Sequence, residues 1–327
     1  MSKNKIWIWQ DDSYPKFTYV KNKLNPLLLE VSHQLGILEG AIKHLSVETK
    51  HKVFTESILD EIVYNFSIEG EILQRSSVRS SLRKQFDNFD DNLANKHTDN
   101  IVSIQQDVNE NHEPLTIERL HRWHHALMID SKYDPSQVSP GEFREYDDMY
   151  VTSGEGIRRK VHYQAPPAKT LPTLMKRFLE YCNTSMDNPI IKSAIVHIWF
   201  VQIHPYGDGN GRIARNITNH ILSKHLGLNT KYFSISHAIN DDLKKYGLLS
   251  EETNKLSKNP DLDLSTWILW HTSIIDKAIA LSTSIIDKTI EKTKFYDKIR
   301  DIKINPNQSK AINMLLTSQD KIITNSI

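Results

Sequence analysis

The sequence has little of the features that mark several large classes of protein. A single cysteine, Cys182, among 327 residues excludes an internal disulfide bond. The formal net charge of +1 gives no overall electrostatic attraction to nucleic acid. Residues 1–10 do not resemble a signal peptide, and the most apolar run, residues 191–203, is too short to cross a membrane and contains His197 and Gln202. We therefore expect a cytoplasmic protein that does not enter a membrane.

Several well-known sequence motifs are also absent. There is no glycine-rich stretch ending in Gly-Lys-Ser/Thr, as in a P-loop, and no dinucleotide-binding fingerprint after a strand. An EF-hand loop counted from Asp208 would place Ile213 where glycine is required and Asn219 where a bidentate glutamate belongs. His121 and His125 have the i, i+4 spacing of a zinc-binding helix, but the glutamate of His-Glu-x-x-His is missing, which favours packing or surface histidines.

The chain is organised around residues 204–215, which have the sequence HPYGDGNGRIAR. The apolar run before them predicts a helix that is buried on nearly all sides, and Pro205 ends this helix just after His204. A new helix is predicted to run to about Leu226, with Gly227 as its stop, so the loop lies at a helix N-terminus, where the helix dipole favours phosphate. Three alternating glycines allow the loop to turn and leave its N–H groups uncovered: Gly207, Gly209 and Gly211.

The side chains of this stretch suit chemistry at a phosphate group. Asp208 offers oxygen to a hard divalent cation, and a histidine such as His204 is suited to accepting a proton near neutral pH. Arg212 and Arg215 share one helix face, roughly opposite a stripe of isoleucines, and are therefore predicted to point away from the core. A base, a metal ligand, an anion-binding loop and two arginines together favour attack by a hydroxyl group on a nucleotide phosphate.

The stretch resembles the Fic motif, His-Pro-Phe-x-Asp-Gly-Asn-Gly-Arg-x-x-Arg, with Tyr206 in place of phenylalanine. The resemblance implies an all-α fold, a Fic-type helical bundle with a small β-hairpin flap, and transfer of AMP from ATP to a protein hydroxyl. It makes His204 the catalytic base and Asp208 the ligand of Mg²⁺, while Arg212 and Arg215 would contact the β- and γ-phosphates of ATP. The phosphate-binding backbone, which a phosphorylating branch of the family replaces with Ala-Asn-Lys, would be Gly209, Asn210 and Gly211.

Residues 65–70, Asn-Phe-Ser-Ile-Glu-Gly, resemble the inhibitory segment Ser/Thr-x-x-x-Glu-Gly/Asn that precedes the core in many Fic proteins. The resemblance implies that Glu69 pairs with Arg215 and so occupies an arginine that the γ-phosphate needs. Asn65 replaces the family's serine or threonine, and we expect this change to weaken a hydrogen bond that supports the restraint. A plain helix end capped by Gly70 is the alternative interpretation.

A β-hairpin is predicted over residues 149–164, where two alternating segments flank Ser-Gly-Glu-Gly. In Fic proteins a hairpin at this place is a flap that holds the target protein by strand pairing, whereas an ordinary surface hairpin is the alternative. The basic residues 158–160 beside its turn favour an acidic target. Tyr246 lies where the family often places a tyrosine against adenine.

The remaining pattern predicts a series of helices. Apolar spacing predicts helices over residues 24–46 and 52–64, with Ser76–Ser77 and Thr116 as later N-cap residues. The Asp- and Asn-rich residues 87–100 are predicted to form a solvated connector. A later helix is predicted to bury Trp267, Trp270, Ile274, Ala278, Leu281 and Ile285.

These elements suggest three units along the chain. Residues 1–112 would form an N-terminal helical region that carries the inhibitory segment, residues 113–290 the Fic catalytic core, and residues 291–327 a C-terminal helical tail. In related Fic proteins a winged-helix DNA-binding module starts near this tail. The residues after 305 are too few for such a three-helix unit, so we expect the module to be truncated or absent and do not expect DNA binding.

The sequence thus predicts a protein adenylyltransferase that transfers AMP from ATP, with Mg²⁺, to a Ser, Thr or Tyr hydroxyl of a target protein, under restraint by Glu69. Two alternatives stay open: removal of AMP from a modified protein, and a non-enzymatic nucleotide-sensing regulator, against which the intact His204 argues. The sequence does not specify the target protein, the preferred nucleotide or whether the chain forms a homo-oligomer.

Overall fold

The computed structural model describes residues 5–89, 92–131, 136, 138–154 and 159–299, and the isolated positions 302, 305, 307, 308 and 312. These residues form eleven α-helices and one two-stranded antiparallel sheet, which confirms the predicted all-α bundle with a small hairpin. None of the helices in these ranges has the length and apolar character needed to cross a bilayer. The elements are α1 Lys21–Lys43, α2 Val47–Ser67, α3 Arg75–Asp87, α4 Lys96–Glu110, α5 Ile117–Met128, β1 Tyr150–Ser153, β2 Lys160–Gln164, α6 Leu171–Thr184, α7 Pro189–Ile203, α8 Asn210–Leu226, α9 Ile235–Asn240, α10 Leu243–Thr253 and α11 Ser265–Lys298.

The centre of the fold is the helix pair α7 and α8, with the loop of residues 204–209 between them. Every residue of α7 except Pro189 and Val201 is buried, as the nearly unbroken apolar run predicts. Asn188 begins this helix by accepting a hydrogen bond from Ile190 N (2.9 Å) through its side chain. Helices α2, α4 and α5 pack on α8, while α6 and α11 pack on α7, so the loop is supported from both sides.

A buried carboxylate joins the N-terminal helices to this centre. Glu61 on α2 is 6% exposed and accepts hydrogen bonds from Asn219 Nδ2 (2.8 Å), Ser234 Oγ (2.8 Å) and the backbone N–H of Ser236 (2.9 Å). One hydrophobic cluster also includes residues on both sides of the predicted boundary at 112–113. The division into an N-terminal region and a core stays a prediction about sequence units, because the packing is continuous across it.

Capping residues account for several helix ends. Thr116 caps α5 by accepting a hydrogen bond from Arg119 N (3.2 Å), and Gly227 ends α8 with a positive φ of 68°; both ends are as predicted. Helix α1 starts three residues before the predicted segment 24–46 and ends three residues before its end, while α2 extends beyond the predicted segment 52–64 at both ends. Ser46 supplies the cap of α2 by accepting from Thr49 N (3.1 Å).

Two predicted boundaries are wrong. Ser76–Ser77 do not cap a helix, because α3 begins before them and contains both residues. The solvated connector is shorter than predicted, because α3 extends to Asp87 and Asn95 caps α4 by accepting a hydrogen bond from Thr98 N (2.9 Å). Most of the C-terminal helical tail predicted over residues 291–327 lies outside the described residues, which in this range are 291–299, 302, 305, 307, 308 and 312.

The buried face of α11 departs from the prediction in its later turns. The predicted positions from Trp267 to Ala278 are buried, but Ile285 is 51% exposed and Ile286 is fully buried. After Ala278 the buried positions recur every four residues, at Ser282 and Ile286. This spacing rotates the buried face around the helix, so Ile285 lies outside it.

The hairpin packs against the first residues of the chain. Its strands pair with Tyr150 opposite Gln164, within the predicted hairpin of residues 149–164, and residues 155–158 lie outside the described residues. Trp7 packs edge-on against the ring of Tyr163 with centroids 5.6 Å apart, and Trp9 Nε1 donates to Gln164 O (2.7 Å). These contacts attach the first residues of the chain to β2.

His271 on α11 is an ionisable side chain that is buried in the core. It is fully buried, neither ring nitrogen has a hydrogen-bond partner among the described residues, and burial lowers its pKa to about 3. The unfolded chain takes up a proton near pH 6.5. The stability that the neutral ring contributes is therefore complete above pH 6.5 and is lost as the pH falls toward 3.

We expect His271→Leu to reduce the loss of unfolding free energy between pH 7 and pH 5 by up to about 2 kcal/mol, measured by urea denaturation at both pH values. His33→Leu, which changes an exposed histidine of α1, serves as the control and should leave the pH dependence unaltered. An identical pH dependence in the wild type and in His271→Leu would contradict the assignment of a neutral, buried ring.

Candidate active site

The loop between α7 and α8 depends on two left-handed backbone conformations. His204 follows the last residue of α7 with φ 50° and ψ 58°, and Pro205 then redirects the chain, as predicted. Gly209 has a φ of 76°, and a Cβ at this position would lie 3.0 Å from Leu127 Cδ2. The backbone angle therefore favours glycine at position 209, and an added Cβ would also crowd the Leu127 side chain.

Tyr206, which replaces the phenylalanine of the Fic motif, anchors the loop in the core. It is fully buried, and its ring stacks on His124 with centroids 3.9 Å apart and 8° between the planes. Its hydroxyl lies 3.2 Å from Nδ1 of His121, whereas His125 is exposed, so this pair consists of packing and surface histidines as predicted. Within the described parts of the chain, no three histidine, cysteine or acidic side chains form a metal-binding group.

Asn210 fastens the loop to the start of α8. Its Oδ1 accepts from Tyr206 N (3.0 Å) and its Nδ2 donates to Tyr206 O (2.8 Å), so the whole side chain is committed to the loop. The first hydrogen bond of α8 runs from Ile213 N to Gly209 O (3.0 Å). The N–H groups of Asn210, Gly211 and Arg212 lie outside the helical ladder, at the end of a helix where an anion can bind.

His204 is prepared to accept a proton. Its Nδ1 donates to Val201 O (3.1 Å), which leaves Nε2 without the proton in the neutral ring. Burial lowers the pKa of the imidazole to about 4, and the nearby Arg144 charge acts in the same direction. The ring is therefore neutral at physiological pH, with Nε2 as its basic atom.

Asp208 is the acidic side chain of the loop, and about half of it is exposed. Its Oδ1 accepts from Gly209 N (2.6 Å), and its Oδ2 lies 3.3 Å from Nη2 of Arg212. Mg²⁺ is usually held by one or two carboxylates together with substrate phosphates, and a single accessible carboxylate beside an anion-binding helix end fits that pattern. Asp208 is therefore suited to the metal role that the sequence indicates.

The two arginines do not point away from the core, contrary to the prediction. Arg212 and Arg215 are both 1% exposed, because residues 65–71 cover the face of α8 that the isoleucine argument left open. The guanidinium of Arg212 lies over the ring of Phe66 at 5.2 Å, a favourable arrangement for a cation. The arginines thus form part of an interior site.

The segment before α3 holds Arg215 at two places. Arg215 Nη2 forms an ion pair with Glu69 Oε1 (2.6 Å) and donates to Asn65 O (3.0 Å). Arg215 Nε donates to Asn65 Oδ1. We expected Asn65 to weaken a hydrogen bond that supports the restraint. These contacts show no such weakening, because the Asn65 side chain itself accepts a hydrogen bond from Arg215. The Glu69 carboxylate also lies against Gly211, where an added Cβ would overlap Glu69 Oε1.

Sequence reasoning missed two residues of this site. Glu71 pairs with Arg212 through Oε1 and Nη1 (2.6 Å), so each arginine has its own glutamate. Glu71 lies 141 positions before Arg212, so no local pattern in the sequence relates the two. Arg144 donates to His204 O (2.9 Å) from 60 positions away, and no local pattern relates the two.

Tyr246 lies on α10 beside this site. Its hydroxyl is 3.1 Å from His197 Nε2, and its ring stacks on Trp270 with centroids 5.6 Å apart. Burial raises the pKa of the hydroxyl, and the nearby charge of Arg215 opposes the increase. The contact with adenine stays a prediction, but the ring is close to the arginine expected to bind phosphate.

Comparison with known proteins gives the same picture at the level of family. Residues 114–222 match the model of the Fic/DOC family, and residues 7–87 match a domain of unknown function, DUF4172. The protein adenylyltransferase Fic of Drosophila erecta is 27% identical over 195 residues, which are 55% of this chain and 35% of that protein. The same protein of Drosophila melanogaster is 27% identical over 183 residues, 52% and 33% of the two chains. The match thus spans about a third of the length of these curated relatives.

Solved structures share the fold. A Fic family protein from Desulfovibrio desulfuricans superposes with a TM-score of 0.63 at 19% identity, covering 94% of this chain and 84% of that one. Fic-1 from C. elegans superposes with a TM-score of 0.51 at 16% identity, covering 82% and 77%. The family match over residues 114–222 extends across the glycine loop and both arginines, so this part of the chain carries a Fic/DOC family domain.

Proposed function

We propose that this protein is an adenylyltransferase that moves AMP from ATP to a Ser, Thr or Tyr hydroxyl of a target protein. One observation carries the proposal: the neutral imidazole of His204, with Nε2 unprotonated, stands beside a helix N-terminus whose two buried arginines are paired with carboxylates. Arginines in such a place can exchange carboxylates for phosphates, which they bind in the same bidentate manner. The Drosophila relatives, named protein adenylyltransferases, support the same class of reaction.

In the proposed reaction the target hydroxyl attacks the α-phosphorus of ATP. A bond forms between the hydroxyl oxygen and this phosphorus, and the bond from the phosphorus to the oxygen bridging the β-phosphate breaks. Pyrophosphate leaves with the electron pair, and Nε2 of His204 takes the hydroxyl proton. The N-terminus of α8, Arg212 and Arg215 hold the phosphate chain and offset its charge. Asp208 would hold Mg²⁺, which supplies further charge neutralisation when bound.

Glu69 would restrain this reaction by competing with the γ-phosphate. Its carboxylate occupies Arg215 and lies against Gly211, beside the N–H groups that would bind phosphate. ATP can place its γ-phosphate on Arg215 only if Glu69 leaves. Glu69 therefore occupies both the positive charge of Arg215 and the space beside Gly211, each of which the nucleotide needs.

Removal of AMP from a modified protein is the second candidate function. The same contact favours it, because a carboxylate beside the N-terminus of α8 can orient a water molecule toward a bound phosphate ester. The two functions make opposite demands on Glu69: transfer from ATP needs its departure, and hydrolysis needs its presence.

The base is tested with His204→Ala in a Glu69→Gly background, so that the restraint does not mask the loss. We expect transfer of radiolabelled AMP from ATP to protein to fall at least about a hundredfold, because no group takes the hydroxyl proton. Calorimetric binding of a non-hydrolysable ATP analogue should change little. His33→Ala is the control and should transfer at the parent rate. Transfer at the parent rate by His204→Ala would rule out His204 as the base.

The restraint is tested with Glu69→Gly, which we expect to raise self-modification by roughly tenfold to a hundredfold, since a charge-assisted hydrogen bond to Arg215 is lost. The lower end is favoured, because the Glu69 side chain is 37% exposed and water weakens the pair. Glu69→Gln keeps the volume beside Gly211 and should give an intermediate rate. Arg215→Ala in the Glu69→Gly background should lose activity, which separates release of a catalyst from general loosening.

Measurement of AMP release from a modified protein completes this test. Loss of release in Glu69→Gly, with no gain of transfer, would favour removal of AMP as the function. If neither activity changes in a folded variant that binds ATP, Glu69 has no controlling role.

A further inference from the structure

Arg144 is a buried cation whose hydrogen bonds join the catalytic loop to the hairpin. It is 5% exposed and lies six residues before β1. Its guanidinium donates to three backbone carbonyls: Nε to His204 O (2.9 Å), Nη1 to Tyr146 O (2.6 Å) and Nη2 to Pro166 O (2.5 Å). Its backbone N–H donates to Pro205 O (2.9 Å). One planar group thus contacts three separate parts of the chain.

The three carbonyls belong to the catalytic loop and to the two ends of the hairpin. The proposed transfer reaction needs this loop and the hairpin in a fixed relative position. Tyr146 and Pro166 lie just outside the two ends of the hairpin. His204 has a left-handed backbone (φ 50°), a conformation that a non-glycine residue keeps only when its surroundings enforce it. Arg144 bonds the carbonyl of this residue, while Val201 O fixes its ring through Nδ1. The main chain and the ring of His204 are therefore each held by a separate contact.

Burial of a guanidinium is costly, and this one uses its donors on neutral carbonyls. Its fork of five N–H groups can reach three acceptors in one plane, which the single ammonium group of lysine cannot do. The arrangement is therefore specific to arginine, and a role limited to filling space does not explain it.

We infer that Arg144 is a positioning residue that sets the placement of Nε2 of His204 relative to the hairpin on which the target segment would lie. This inference rests on the proposed transfer reaction and on the role of the hairpin in holding the target. Arg144 does not touch the substrates in this arrangement. Its effect is on the distance between the base and the attacking hydroxyl, and a displacement of about 1 Å can cost about a hundredfold in rate.

The experiment compares Arg144→Lys and Arg144→Ala with the Glu69→Gly parent. We expect kcat for modification of a protein target to fall about a hundredfold in Arg144→Lys, with the KM for ATP within about threefold of the parent, because the phosphate-binding groups of α8 are untouched. Added methylguanidine should restore part of the rate of Arg144→Ala. Hydrogen exchange should rise in residues 150–154 and 159–164 but not in α8.

Arg119 provides a matched control, because it is also a buried arginine, 2% exposed, that donates to the backbone carbonyls of Glu113 (2.8 Å) and Asn111 (2.7 Å). It lies outside the site and pairs with Asp107. Arg119→Lys should lower the melting temperature and leave kcat within about threefold of the parent. If Arg144→Lys behaves like Arg119→Lys, the positioning role is wrong.

Two further outcomes distinguish this inference from the function on which it rests. If the Glu69→Gly parent transfers no AMP, the proposed function fails first. If the parent is active and both Arg144 variants lose their fold without recovery in methylguanidine, Arg144 is a structural residue only and the inference is overturned. A fall in kcat with intact folding, unchanged KM for ATP and rescue by methylguanidine supports it.

Discussion

Two arginine side chains are buried near the start of α8, and the structure around them depends on the neutralisation of their charges. A buried positive charge is stable only with a partner, and the chain supplies Glu69 for Arg215 and Glu71 for Arg212. The two glutamates flank Gly70, whose φ of 79° turns the backbone so that neighbouring carboxylates reach different arginines. In this paired form each arginine charge has a carboxylate partner.

The hairpin is held from several directions that meet at the same site. Trp7 and Trp9 contact β2, and Arg144 holds the base of the hairpin. From α10, Glu251 accepts from His162 Nδ1 (2.6 Å), and its pKa is lowered to about 2, chiefly by Lys255. Within the described residues no strand pairs with the other edge of β1, so that edge is the one open to an added strand.

The features that were predictable from the sequence depend on residues that lie close together along the chain. The spacing within residues 204–215 places a base, a carboxylate and a helix N-terminus together, and capping residues such as Thr116 located helix ends. The burial of Arg212 was not predictable from its helix face, because the segment that covers it comes from 141 positions away. Arg144 was missed for the same reason, and Ile285 was misplaced because a straight helix rotates its buried stripe over many turns.

The lack of space between Gly211 and Glu69 has a consequence for the descent of such proteins. A side chain at position 211 would overlap the engaged carboxylate of Glu69, which would have to move away from its place beside Gly211. A larger residue at 211, such as the lysine of the phosphorylating branch, is therefore incompatible with the contact that Glu69 makes here. Among related sequences the two positions should therefore covary, and a chain that keeps this glutamate in place should keep its glycine.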